Sequence, residues 1–178
     1  VKTGFDVLDR KLKGLRGGDL VVLPAGPSMG KTALALNIAA NVTLLAPAPP
    51  SIALFSLQMR RKPAMCRLIA SEARVSLHEA QSGYFRRERW TDLTKAANRL
   101  SEAPLLIDDT AALSVTEILS RCKVLAGELR AKGRRLGLVI IVHLQLIRHS
   151  ETMRRRPRTS GERGAELGGI MRKIKGLA

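Results

Sequence analysis

The stretch AGPSMGKTALALN, 25–37, sets Gly30, Lys31 and Thr32 where an apolar run ends and a segment rich in Ala and Leu begins. Strand, glycine turn, GKT and helix in that order fit a phosphate-binding P-loop, with Ala25 standing where the simplest pattern has glycine. Gly30 lets the backbone turn so that successive N–H groups face phosphate oxygens, and a helix beginning near Lys31 adds its positive end. In that geometry Lys31 neutralises the β and γ phosphates and the Thr32 hydroxyl ligates magnesium. Ala25, Gly26, Pro27, Ser28, Met29, Gly30, Lys31 and Thr32 are therefore the expected nucleotide site, with ATP and Mg²⁺ as cofactors and Thr32 as metal ligand. The plainer alternative is a glycine turn that caps a helix. A P-loop implies nucleotide binding; hydrolysis also needs a group that aligns or deprotonates water, and an acid to order the metal's water shell.

The elements that would position these residues are legible as short apolar runs: DLVVLPA at 19–25, SIALFSL at 51–57, APLLIDD at 103–109 and LGLVIIV at 136–142. Between them lie segments of helical period, with Ile118, Cys122, Leu125 and Leu129 on one stripe and Trp90, Leu93, Ala97 and Leu100 on another. Strands apolar throughout, alternating with amphipathic helices, predict an α/β fold: a mainly parallel sheet with helices on both faces, in one domain spanning 1–178. Ligands of such sheets bind beyond the carboxyl ends of the strands, which directs attention to Ala25–Thr32, Gln58, Asp108 with Asp109, and Val142–Gln145. APAPPS, 46–51, reads as a rigid proline turn. RHSETMRRRPRTSGERG, 148–164, is polar, basic and broken by Pro157, Gly161 and Gly164, which predicts a flexible loop.

The chain has 178 residues, with 31 Lys and Arg against 15 Asp and Glu, a net charge of +16 that suits a polyanionic partner. Cys66 and Cys122 lack metal-ligand spacing and read as reduced core thiols. No apolar run reaches the ~18 residues of a membrane span and no leader segment is evident, so the expected location is the cytoplasm, with no membrane contact.

Several blocks carry a family resemblance: TGFDVLDRKLKGLRGGDLVVL before the P-loop, LFSLQM after the next strand, TKAANRLSEAPLLIDDT, and LGLVIIVHLQLI. Together they resemble the RecA-like ATPase domain of DnaB-type replicative helicases, from Thr3 to Ala178. The resemblance implies a homo-hexameric ring that encircles single-stranded DNA, hydrolyses ATP between subunits, translocates 5′ to 3′ and unwinds duplex during DNA replication, with primase or a helicase loader as further contacts. It also implies that the domain is incomplete at its C-terminus, after the fourth predicted strand and its following helix, and that a phosphate-sensing strand, a second DNA loop and an arginine finger lie beyond Ala178. RGAELGGIMRKIKGLA, 163–178, is similar to the family's helix after the first DNA loop, with Arg163, Glu166, Arg172 and Lys175 on matching positions.

Two departures fall on chemistry. The family's pattern has glutamate at position 58, which activates water, and aspartate followed by tyrosine at 142 and 143; this chain has Gln58, Val142 and His143. Glutamine can hydrogen-bond a water but cannot take its proton, and loss of a positioned base costs roughly 10²–10⁴ in rate. Valine can neither ligate nor orient, so the metal would rest on Thr32, phosphates and water. Asp108 and Asp109 could recruit metal instead; the plainer view has one of them cap the helix starting near Ser114 or pair with an arginine. His143 reads as a hydrogen-bonded filler rather than a replacement base.

The resemblance places 148–164 at the first DNA-contacting loop, with Arg148, Arg154, Arg155, Arg156, Arg158 and Arg163 as candidate contacts. Six phosphate contacts would give a salt slope of about −4, at roughly −0.7 each. No aromatic residue interleaves these arginines, so backbone tracking rather than base stacking is expected. A solvated charge run or a subunit contact is the alternative, and Arg60, Arg61 and Lys62 could face a neighbour's phosphates or only solvent. Three functional readings follow: a helicase motor domain with atypical site residues, a hydrolysis-impaired ring or regulatory paralogue that binds ATP and DNA, and a RecA-like recombination paralogue, which LFSLQM and HLQL disfavour.

Overall fold

The computed structural model describes residues 1–84, 87–148 and 160–176, with the side chains of 87–88 and 160–163 outside that description. In chain order the elements are α1 (Asp6–Leu12), α2 (Lys31–Leu44), β1 (Ser51–Ser56), α3 (Arg61–Glu72), α4 (Leu77–Ser82), α5 (Arg87–Glu102), β2 (Leu105–Asp108), α6 (Val115–Ala131), β3 (Leu136–Val142) and α7 (Ser160–Lys175), with a 3₁₀ turn at Leu144–Leu146.

The described strands form one parallel sheet in the order β2-β1-β3. SIALFS has no polar face to turn to water, and it takes the central position, buried along its whole length. On one face, Leu54, Ile107 and Val142 pack under Ala35, Leu36 and Ala40 of α2, with Leu68 of α3 and Leu100 of α5 completing the layer. On the other, Ala53 and Phe55 meet Val115, Ile118 and Cys122 of α6 and Ile170 of α7. Helices on both faces are thus observed, and Ile118, Cys122, Leu125 and Leu129 form the α6 stripe, Leu125 being half-buried. Leu54, with 0% exposure, contributes about 1.5–3 kcal/mol from area removed from water.

Three expectations need correction. DLVVLPA, 19–25, is not a strand: it runs extended with Leu20, Val21, Val22 and Leu23 at 36%, 45%, 49% and 41% exposure. A strand exists only against a partner edge, and β3 is paired on one side alone among the described residues. The sheet therefore has three described strands rather than four. Trp90 leaves the expected stripe with 62% exposure, because the inward face of α5 is set by Ala96 and Leu100, with Leu93 and Ala97 at its margin. The last part of the stretch 148–164 expected as a flexible loop is helical, since α7 begins at Ser160 and includes Gly161 and Gly164, while 149–159 lie outside the described residues.

The proline turn at 46–51 has a packing role. A Cβ at Gly137 would lie 2.4 Å from the Pro50 Cβ, so glycine in β3 is what lets the turn close against the strand. The N-terminal TGFD forms a hook: the Asp9 carboxylate accepts hydrogen bonds from the Thr3 N–H (2.7 Å), the Thr3 hydroxyl (2.9 Å) and the Gly4 N–H (3.1 Å), while Asn41 Nδ2 donates to the Thr3 carbonyl at 3.2 Å. This ties the chain start to α2, the helix that carries the phosphate loop.

Candidate nucleotide site

The loop expected to cradle phosphate lies at the carboxyl edge of the sheet, feeding α2. Gly30 is the N-cap of α2 in the left-handed region, φ 80°, and a Cβ there would meet nothing within 4 Å. Its requirement for glycine is therefore conformational rather than steric. Ser28 also has positive φ, 58°. Lys31 reaches back across the loop and donates from Nζ to the Ala25 and Gly26 carbonyls, 2.7 Å each. The ammonium is thus held against the carbonyls of its own loop. Thr32 is half-buried in the first turn of α2.

Gln58 and Val142 stand at the carboxyl ends of β1 and β3. Gln58 follows β1 and is exposed, within the turn that the Ser56 hydroxyl closes by donating to the Met59 carbonyl at 2.5 Å. Val142, opposite Ser56 in the register, has 7% exposure and is part of the apolar layer under α2. Its side chain packs as a core residue, and the position supplies no oxygen.

His143 turns the chain out of β3 in the left-handed conformation, φ 69° and ψ 68°, a backbone state that costs a non-glycine residue about 1 kcal/mol or more. Its Nδ1 is buried with no hydrogen-bond partner. Burial, and then the charge of Lys31, holds its pKa below the ordinary histidine value, so the ring is neutral near neutral pH. The filler expected from sequence is thus a ring with an unmet polar atom.

The paired aspartates are committed elsewhere. Asp108 accepts from the Thr110 N–H at 3.0 Å and pairs with the Arg121 guanidinium. Burial raises its pKa, but the hydrogen bonds from Thr110 and the Arg121 charge outweigh that and hold the carboxyl below its ordinary value. Asp109 accepts from the Arg61 N–H at 2.8 Å, at the start of α3, and Arg61 Nη2 donates to the Ile107 carbonyl at 2.8 Å. Arg61 is therefore a brace between α3 and β2, while Arg60 and Lys62 are exposed. Ser114 caps α6 itself, through a capping box with Glu117. Among the described residues no three His, Cys, Asp or Glu converge as a metal cluster, so a cation at this loop would rest on Thr32 and the nucleotide's own oxygens.

Of the candidate DNA contacts, Arg148 is paired: its Nη2 lies 3.2 Å from both Glu117 carboxylate oxygens, and its N–H donates to the Leu113 carbonyl at 2.8 Å. No local pattern signals that pairing, which depends on bringing residues 31 apart together. Arg154, Arg155, Arg156 and Arg158 lie outside the described residues, as does the side chain of Arg163. Cys122 is a buried thiol pushed up to about 11 by burial and by Asp108, hence unreactive, and Cys66 is half-buried. No helix among the described residues is long and apolar enough to cross a membrane.

A phosphate loop at the carboxyl edge of a parallel sheet, with helices on both faces, defines a P-loop nucleotide-binding domain. The chain belongs to the DnaB-like helicase C-terminal domain family, whose model matches residues 1–178. Over 178 residues it is 40% identical to the replicative DNA helicase DnaB of Synechocystis sp. (strain ATCC 27184 / PCC 6803 / Kazusa), covering all of this chain and 19% of that protein. It is 36% identical over 178 residues to the replicative DNA helicase DnaC of Bacillus subtilis (strain 168), covering 36% of that protein. Among solved structures, a DnaB-like replicative helicase, described with its interactions with primase, superposes with a TM-score of 0.80 at 29% identity, over 99% of this chain and 40% of that one. A second solved structure, of an ATPase domain, superposes with a TM-score of 0.82 at 28% identity, over 99% of this chain and 58% of that one. The RecA-like fold expected from the resemblance is thereby established, and the chain spans about a third or less of the length of these curated relatives.

Proposed function

We propose that this chain is the ATP-driven motor domain of a replicative DNA helicase, acting in the cytoplasm as a homo-hexamer on single-stranded DNA, moving 5′ to 3′ and unwinding duplex, with primase or a loader as partners. The observation that carries the reading is the Lys31 ammonium at the mouth of a Gly30-pivoted loop, in a chain of the DnaB-like helicase family. Ala25–Thr32 bind ATP, Lys31 meets its β and γ phosphates, and Thr32 ligates Mg²⁺, which when bound neutralises charge on the transferring phosphoryl group. Gln58 orients the attacking water without accepting its proton, and Val142 fills core volume. Turnover is consequently slow relative to nucleotide binding. Arg154, Arg155, Arg156, Arg158 and Arg163 line the DNA path, with Arg148 beside them held by Glu117.

The test is a DNA-stimulated ATPase assay on the full-length protein, native against Gln58→Glu with Val142→Asp. Binding of ATP with slow native turnover, raised roughly 10²–10⁴-fold by the pair of changes, is the expected result. Native turnover equal to that of the double variant would overturn the impaired-site part of the reading. Binding without hydrolysis in either form would favour a ring that holds ATP and DNA without turning it over, and failure to bind ATP would sink the motor assignment.

A further inference from the structure

Several charged and hydrogen-bonding groups of the loop and the strand ends have defined partners. Lys31 is bonded to the Ala25 and Gly26 carbonyls, Ser56 to Met59, Asp108 to Thr110 and Arg121, and Asp109 to Arg61. His143 differs from these: its imidazole Nδ1 is removed from water and left without a partner. Buried polar atoms are nearly always satisfied, so an unmet one marks a place where a group is accommodated. The left-handed backbone at 143 breaks the alternation that would carry the ring to the Ile141 face, at the strand end beside Lys31.

Val142, one residue earlier, offers no oxygen in the position from which its relatives' family pattern orders the metal's water shell. We infer that His143 performs that ordering instead: its Nδ1 accepts a hydrogen bond from a water of the nucleotide-bound Mg²⁺, making it a positioning residue for the metal rather than a ligand or a base. The inference rests on the nucleotide-binding reading above. The required protonation state is the neutral ring with its proton on Nε2, and burial, followed by the charge of Lys31, favours that neutral form. Imidazole nitrogen is a good acceptor from a metal-bound water, whose hydrogens are polarised by the cation.

The experiment measures affinity of the full-length protein for a fluorescent ATP analogue, with Mg²⁺ and with EDTA, in the native form, His143→Gly and His143→Asn. Glycine removes Nδ1 and relaxes the left-handed backbone, so folding is retained; asparagine tolerates that backbone and sets its Oδ1 near the place of Nδ1. The expected result is that His143→Gly lowers the Mg²⁺-dependent gain in affinity about tenfold with the EDTA affinity unchanged, and that His143→Asn restores most of it. A glycine variant that keeps the full Mg²⁺-dependent gain, or loses affinity equally with and without metal, overturns the inference and leaves nucleotide binding standing. Native protein that binds no analogue, indistinguishable from Lys31→Ala, overturns the nucleotide-binding reading and this inference with it.

Discussion

Val142 lies opposite Ser56 in the parallel register of β1 and β3, and its side chain is buried under the helix that carries Lys31. An acid here must be desolvated unless a cation meets it. Val142→Asp is therefore expected to destabilise the nucleotide-free protein by about 2–4 kcal/mol near neutral pH. Its pKa would be raised in the folded state, so the penalty shrinks as pH falls towards the ordinary carboxylate range. Thermal melts with and without Mg²⁺ and ATP check this: the loss should be largely recovered only when both are present.

The Asp108–Arg121 pair makes a separate pH-dependent contribution. Because the folded-state pKa of Asp108 is lowered, its stabilisation is complete above the unfolded value, about pH 4, and is lost as pH falls through the folded value. Arg121→Met is expected to cost about 0.5 kcal/mol near neutral pH, since both side chains are partly exposed. The difference from native should narrow in acid, as read by denaturant unfolding at a series of pH values.

Gly4 has φ 78° and approaches α2 so closely that a Cβ would lie 2.6 Å from the Asn41 Cβ. Gly4→Ala is expected to destabilise by about 1–3 kcal/mol, through backbone strain and displacement of the Asn41 side chain. Loss of the Asn41 bond to the Thr3 carbonyl should appear as faster hydrogen exchange at Thr3 and Gly4, whose N–H groups donate to Asp9.

Glu117 already holds the Arg148 guanidinium. Binding to single-stranded oligothymidine should thus show a log–log salt slope of about −3.5, from the five other candidate arginines at roughly −0.7 each. Arg148→Ala should leave that slope unchanged and Glu117→Ala should steepen it towards about −4. Fluorescence anisotropy across a salt series measures both.

The parts of the fold legible in the sequence are those whose physics is local. GKT after an apolar run specified a helix starting at Lys31, and continuous apolar runs specified β1, β2 and β3. Partner-dependent features were not legible. The apolar composition of 19–25 pointed to a strand, but pairing requires an edge that no run of residues encodes by itself. The spacing of Trp90, Leu93, Ala97 and Leu100 gives the inward side of α5 as far as Leu93, Ala97 and the buried Leu100, but Trp90 falls outside it. For the aspartate pair, sequence left capping and ion pairing open; Asp108 pairs with Arg121, and Asp109 serves the start of α3 rather than α6. The unmet nitrogen of His143 follows from a backbone turn and a neighbouring ammonium, neither of which its place after Val142 reveals.

The half-exposed run Leu20–Leu23 has a consequence for how the isolated chain behaves in solution. Copies carrying +16 repel one another, while an extended apolar segment and a strand paired on one side invite edge-to-edge contact. Added salt weakens the repulsion and leaves the attraction intact. Colloidal stability should therefore be greatest at low ionic strength, the same condition that strengthens polyanion binding, and light scattering should rise as salt releases the chain from DNA.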